Sequence, residues 1–372
     1  MKRSIGDKLN IALAVVIFLG LFIFFVVKPD DAVSLSERRP LKTMPEASVE
    51  TIFGKKGGSS FMDEFEVYAK DQFPMREGFR TLHALSGRYG LGRQEINDLY
   101  VTDGFIAKLE DGCHEADMVW AADRIGAILD KYGSDRATMA IIPDKNYYLA
   151  PEMGAPALDM TAFEGYFEER LGDRVSFVDL KGQLTKDHFY RTDSHWKQDM
   201  LPEIAARLLS EMGRPAGATA YRCERAADDF RGVYYGQAAL PLAADTLNYL
   251  TWDGMENVSV WDHDSGKPVA MPLYNTDKLA GADPYEFFLS GSKGLITMEN
   301  PAAPEGHLVL FRDSFGSSLA PLLLEGYRQV TVVDIRYISP SILDRFIDFE
   351  NADVLFLYST SVLNNSVGQI LK

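Results

Sequence analysis

The hydrophobic pattern of the chain changes texture along its length. Residues 11–27 form one apolar run broken by nothing more polar than Gly20, and at about 1.5 Å per residue such a run nearly crosses a bilayer core. From Phe61 the spacing turns helical, with Phe61, Phe65, Tyr68 and Ala69 at i, i+4, i+7 and i+8, and it halts at Asp71-Gln72-Phe73-Pro74-Met75-Arg76. A second helical stretch follows through Phe79, Leu82, Leu85 and Tyr89. Beyond it, short continuous apolar runs alternate with helix-period stretches, the pattern of a parallel sheet buried on both faces.

Individual elements follow from that alternation. Asp103-Gly104 between the runs 99–101 and 105–106 predicts a hairpin. A helix over 116–132 leads to the strand 137–142, which stops at Pro143-Asp144-Lys145. A helix around 163–171 leads to the strand 175–180, and right-handed crossover makes parallel pairing the default. A helix over 200–212 follows. Near the C-terminus, strands at 308–311, 329–333 and 354–358 alternate with helices at 315–324 and 342–349. Residues 221–300 differ. Tyr234-Tyr235 and the runs 247–252, 258–261, 285–289 and 295–298 are short, aromatic or branched, and separated by Gly, Asp and Asn, which predicts a β-rich insertion.

Charge narrows the partners. With 54 acidic against 38 basic residues and a formal net charge of −16, the chain lacks the clustered Lys and Arg that nucleic-acid binding requires. Lys2, Arg3 and Lys8 precede the apolar run and Asp30 and Asp31 follow it, so the positive-inside bias places the N-terminus in the cytoplasm and the body outside as a single-pass protein. The run is longer than the apolar core of a secretory signal, which favours an uncleaved anchor over cleavage near Ala32-Val33-Ser34. The expected organisation is a cytoplasmic tip and signal-anchor at 1–28, a proline-punctuated linker at 29–60 and one domain at 61–372 carrying the insertion at 221–300. Cys113 and Cys223 are open to two readings, a disulfide in an oxidising compartment or two unrelated buried thiols. No Cys/His pair has zinc-ligand spacing, so no metal or other cofactor is expected.

The chemistry centres on Arg312-Asp313-Ser314-Phe315-Gly316, directly behind the strand 308–311. A strand that stops at a Ser-containing turn and becomes a helix is how α/β enzymes present a nucleophilic hydroxyl. A serine needs a base, and the base needs an orienting group. Of the histidines, His195 has Asp193 two residues before it, and on an extended segment i and i+2 share a side. His188 has only the adjacent Asp187, which would point away. The bland readings are an Asp-x-His loop and a Ser314 that merely caps a helix. Backbone N–H groups at the start of the helix, from Ser314 and Phe315 onward, are the expected oxyanion donors. Arg336 is either a positive charge near the carboxyl ends of the strands or an ion-pair partner of Asp334 or Asp353. Trp196 is either part of an aromatic stacking wall beside the site or core.

Asp193-Ser194-His195-Trp196 together with Arg312-Asp313-Ser314-Phe315-Gly316 resembles the DHHW proteins, relatives of the SGNH-hydrolase-like proteins that O-acetylate alginate and bacterial cellulose. Arg38-Arg39-Pro40-Leu41 with Met44-Pro45, the segment Tyr68 to Arg76, Phe230-Arg231-Gly232 with Tyr234-Tyr235, and Val333-Asp334-Ile335-Arg336-Tyr337 share the likeness, which spans essentially the whole soluble chain. Ser194 stands where the family name has a second His, and Leu289-Ser290-Gly291-Ser292 replaces a Gly-Gly-Asn-like stretch. The resemblance implies an α/β SGNH-hydrolase-like three-layer fold and a triad of Asp193 (orienter), His195 (base) and Ser314 (nucleophile). It further implies an O-acetyltransferase acting on a cell-surface or exported polysaccharide through an acetyl-serine. A multi-span membrane acyltransferase would be the partner that supplies acetyl groups. A polysaccharide acetyl esterase shares the acyl-enzyme step, and a non-catalytic polysaccharide-binding scaffold needs none of it.

Overall fold

The computed structural model describes residues 5–48, 52, 60–110, 112–133 and 137–368. Lys2 and Arg3, which carry much of the orientation argument, and most of the expected linker beyond residue 48 lie outside the described residues. The chain divides into two compact units, Met1–Ile96 with Gly236–Pro241 and Asn97–Tyr235 with Leu242–Lys372.

In the first unit, helix α1 (Ile5–Val27) has 23 residues, none of them buried, and is long and apolar enough to cross a membrane. Helix α2 (Phe61–Asp71) opens with a reciprocal cap between Ser60 and Asp63, and α3 (Arg76–Leu85) follows past Pro74, whose ring cannot continue α2. The stretch after α1, expected as an extended tether, folds back instead: Val33–Ser34 pairs antiparallel with Arg39–Pro40. The buried Asp71 carboxylate accepts from Arg39 Nη2 at 2.6 Å, Arg39 Nη1 at 3.0 Å and the Lys42 N–H at 2.9 Å. The Arg39 guanidinium holds the Asp71 carboxyl below its usual range.

The second unit opens with the hairpin β1 (Leu99–Thr102) and β2 (Phe105–Lys108), turned at Asp103-Gly104. There follow α4 (Glu115–Tyr132), β3 (Ala137–Ile142), α5 (Asn146–Met153), α6 (Met160–Leu171), β4 (Ser176–Val178) and α7 (Pro202–Glu211). Strands β5 (Arg222–Phe230) and β6 (Asp245–Thr251) form a separate antiparallel ribbon with two register shifts. Then come β7 (Ser259–Asp262), β8 (Val269–Ala270), β9 (Leu295–Glu299), β10 (His307–Arg312), α8 (Gly316–Leu323), β11 (Gln329–Val333) and β12 (Ala352–Ser359). The main sheet has eight strands in the order β8-β7-β9-β11-β10-β12-β3-β4. The strands from β11 to β4 run parallel, whereas β9, β7 and β8 join antiparallel.

Strand alternation distributes the core to both faces. Val309, Phe311, Val354 and Phe356 pack with α4 and α6, while Leu308, Leu310, Leu355 and Leu357 pack with α7 and α8. Full burial on both sides is why these strands read as continuous apolar runs. Several expectations fail for local reasons. Residues 342–349 do not make an α-helix, because Pro340 and the Ser339 cap wind a 3₁₀ turn over Pro340–Arg345 instead. Tyr234 and Tyr235 are helical, and Tyr285 lies in a 3₁₀ turn started by Asp283 and Pro284. Cys113 and Cys223 are unpaired and both exposed, so they are neither a disulfide nor buried thiols.

Candidate active site

Strand β10 ends at the buried Arg312, and the chain leaves the sheet through Asp313. Asp313 is fully buried and pins the turn from both sides. Its Oδ1 accepts the Phe315 N–H at 3.0 Å, and its Oδ2 accepts the Ser359 N–H at 2.8 Å and the Ser359 hydroxyl at 2.7 Å. Ser314 is thereby held at the carboxyl end of β10, half-exposed.

The segment that carries Asp193 and His195 is not extended. Phe189 and Trp196 form an isolated antiparallel bridge, and the Tyr190 N–H donates to the His195 carbonyl at 3.0 Å, closing a tight loop. Asp193 Oδ1 accepts the His195 N–H at 3.0 Å and lies 2.5 Å from His195 Nδ1. The two side chains therefore meet through a side-chain-to-backbone turn rather than through strand alternation. On the other side, His195 Nε2 lies 2.7 Å from Ser314 Oγ. A carboxylate only accepts, so Nδ1 carries the proton and Nε2 of the neutral imidazole is left to accept the Ser314 hydroxyl. His188 is engaged elsewhere, its Nδ1 meeting the Thr185 hydroxyl at 3.0 Å.

Four residues that sequence reasoning did not assign hold this geometry. The fully buried Lys145 ammonium donates to the carbonyls of Tyr190 (2.9 Å), Arg191 (3.3 Å) and Asp193 (2.6 Å). Burial pulls its pKa down to about 8. The Asp245 carboxylate accepts the N–H groups of Arg191 and Thr192 and the Thr192 hydroxyl. Gly232 lies so close that an added Cβ would fall 2.1 Å from Asp193 Cβ, and the next N–H, of Val233, donates to Asp193 Oδ2 at 2.8 Å. Tyr285 stacks on His195 with ring centres 3.9 Å apart and planes 9° from parallel, its hydroxyl donating to Ser318 Oγ at 2.8 Å. The position of Lys145 just past a buried strand and the Arg231-Gly232 dipeptide were the available signals; Asp245 and Tyr285 had none.

The remaining candidates land differently. Trp196 is fully buried, its indole N–H donating to the Phe315 carbonyl at 2.9 Å and Ser318 Oγ at 3.0 Å, so it is core and not a sugar-stacking wall. Arg336 is clamped by Asp334 through Nε at 2.9 Å and Nη2 at 2.7 Å, the ion-pair reading. The helix start offers fewer oxyanion donors than expected. The Phe315, Gly316 and Ser317 N–H groups are taken by Asp313 Oδ1, the Asp313 carbonyl and the Ser314 carbonyl. Phe315 is thus excluded as a donor, and its side chain packs against His195 and Trp196. In the stretch that replaces the family's glycines, Leu289, Ser290 and Gly291 keep left-handed backbones, with φ of 53°, 61° and 84°.

No family model and no curated protein matches the sequence. Among solved structures, the chain is similar to a DHHW family protein from Eubacterium siraeum at 19% identity and a TM-score of 0.60, over 74% of this chain and 97% of the other. It is similar to Bacillus cereus PatB1 bearing a sulfonyl adduct at 19% identity and a TM-score of 0.56, over 71% of this chain and 95% of that one. The O-acetyltransferase domain of Pseudomonas putida AlgJ aligns at 13% identity and a TM-score of 0.40, over 72% of this chain and 92% of its own. The chain shares the fold of the first two.

Proposed function

We propose that the chain is an extracytoplasmic O-acetyltransferase of the DHHW type, which carries acetyl groups on Ser314 to hydroxyls of a cell-surface or exported polysaccharide. The observation that carries this reading is the hydrogen-bonded path from Ser314 Oγ through His195 to Asp193. In the first half-reaction His195 Nε2 takes the Ser314 proton as Oγ attacks the donor carbonyl. The Oγ–C bond forms, the donor's ester bond breaks, and the imidazolium returns its proton to the leaving oxygen. In the second, Nε2 takes a proton from a sugar hydroxyl, that oxygen attacks the acetyl carbon, and Ser314 leaves with the proton. Asp193 holds Nδ1–H throughout and stabilises the imidazolium.

The apolar helix α1 supports a membrane-held enzyme, the basic Lys2, Arg3 and Lys8 ahead of its apolar run and the acidic Asp30 and Asp31 behind it support a body outside, and the family resemblance supplies acetyl transfer and a membrane acyltransferase as the acetyl source. The test uses the full chain in detergent with an acetyl ester and an oligosaccharide. Ser314→Ala is expected to fold normally and form no acetylated sugar; retained transfer refutes the mechanism. Acetate release indifferent to added oligosaccharide would make the protein a hydrolase. A sulfonyl fluoride is a suited probe, because PatB1, of the same fold, is known with a sulfonyl adduct; failure to label Ser314 in the folded chain would favour a scaffold.

A further inference from the structure

We infer that a cavity past the ends of β3 and β12 is the acceptor-sugar subsite and that it selects a neutral hexose polymer over a uronate polymer. The inference rests on the transferase reading above. With Trp196 buried, the sugar must be held elsewhere. A cavity of about 430 Å³ lies past the ends of β3 and β12, lined by Asp144, which follows β3, and Ser361, which follows β12, and its volume is that of a small-molecule site. In open α/β sheets ligands bind in this crevice outside the carboxyl ends of the strands. Strand β10, which presents Ser314, is the immediate neighbour of β12, about 4.8 Å away. The link is also chemical. Ser359 gives its only hydroxyl proton to Asp313, so the Ser361 hydroxyl, 3.0 Å from Ser359 Oγ, donates to it and turns its lone pairs outward.

Two polar atoms on the wall, the Tyr234 hydroxyl and Asp144 Oδ2, have no hydrogen-bond partner among the described residues and are open to the cavity. Tyr234 is 6% exposed; Asp144 is 4% exposed, and only its Oδ1 is used, by the Asn146 N–H. A phenol that donates and accepts, a carboxylate oxygen and a serine lone pair match the mixed donors and acceptors of sugar hydroxyls, while Leu109, Pro156 and the Tyr234 ring offer apolar surface to a pyranose face. The wall also holds Asp98 and Glu110 against Lys108, on a chain of net charge −16. A polymer with one carboxylate per ring meets like charge here.

The experiment uses full-length Ser314→Ala in detergent, so that nothing turns over, and titrates it with a neutral β-glucan pentasaccharide and with a mannuronate pentasaccharide. The glucan is expected to bind at least about tenfold more tightly. Tyr234→Phe in the same background should weaken it roughly tenfold, the loss of one hydrogen bond, with an unchanged melting temperature as the check on folding. Asp98→Asn should narrow the gap between the two sugars. Equal or inverted affinities, no binding of either sugar, or a Tyr234→Phe protein that binds like its parent would overturn the subsite. Hydrolysis of 4-nitrophenyl acetate by the unsubstituted chain, lost in Ser314→Ala, reports on the nucleophile separately. A protein that cleaves the ester and binds no glucan refutes the subsite alone; one that binds glucan and never cleaves the ester refutes the transferase reading alone.

Discussion

Asp193 shows how completely one side chain can be specified. Its Oδ1 takes two N–H groups of His195 and its Oδ2 takes the Val233 N–H, in a spot with no solvent exposure. Asp193→Asn keeps the shape but offers Nδ1 an amide that can itself donate, which favours the wrong imidazole tautomer. A fall in kcat of about 10⁴-fold with little change in KM is expected for ester turnover; a loss below tenfold would show that Asp193 does not orient the base. Gly232 is the steric counterpart. An added methyl would meet Asp193 Cβ at 2.1 Å and Cα at 2.4 Å, and neither atom sits on a flexible tip that can step aside. Gly232→Ala should cost about 1–3 kcal/mol in urea unfolding and lower turnover on the order of 10²-fold by shifting Asp193.

At the scale of elements, the loop bearing Asp193 and His195 depends on a cation it does not contain. Lys145, just past β3, holds three of its carbonyls. Because burial lowers its pKa from 10.5 to about 8, between those two values the unfolded chain keeps a proton that the folded chain has released. Stability contributed by this group therefore rises with pH across that window. The stability of the parent minus that of Lys145→Met should increase between pH 8 and 10 by on the order of 2 kcal/mol, measured by urea unfolding at each pH; a flat difference would place the ammonium in a far wetter environment. The same elements show what was legible in sequence. Strands β3, β10, β11 and β12 were readable to within a residue or two because burial on both faces leaves an uninterrupted apolar signature. Asp193 and His195 were legible as a pair by spacing, but strand alternation was the wrong cause, since a turn joins them. Lys145, Asp245 and Gly232 act on that pair from more than about 35 residues away in the chain, and no local pattern records such contacts. Tyr285 was hidden by its aromatic neighbours, whose run looked like a strand until Asp283 and Pro284 wound it into a 3₁₀ turn.

For the molecule as a whole, the proposed orientation across the membrane can be tested with the protein's own chemistry. Cys113 and Cys223 are free, exposed and carried by the body after α1. If that body is extracytoplasmic, a membrane-impermeant maleimide should label both thiols in intact cells, and the Cys113→Ser/Cys223→Ser double variant should stay unlabelled. Labelling that needs permeabilised cells would reverse the topology. The chain should also resist alkaline carbonate extraction, as an uncleaved 23-residue apolar helix predicts.

The buried indole of Trp196 has a consequence for local unfolding. Its N–H bridges the Phe315 carbonyl and Ser318 Oγ, and Gln198 donates to the Ser318 carbonyl at 2.7 Å, so the loop with the base and the helix behind the nucleophile are stitched together at the same residues. Opening either one breaks the bonds of both, and they form a single cooperative unit in the sense of native-state hydrogen exchange. A partly opened molecule that exposes Ser314 more widely has already lost its hydrogen bond to the His195 imidazole. On the proposed mechanism, serine reactivity is confined to the fully closed state, and fraying yields an inert hydroxyl rather than an unguarded one.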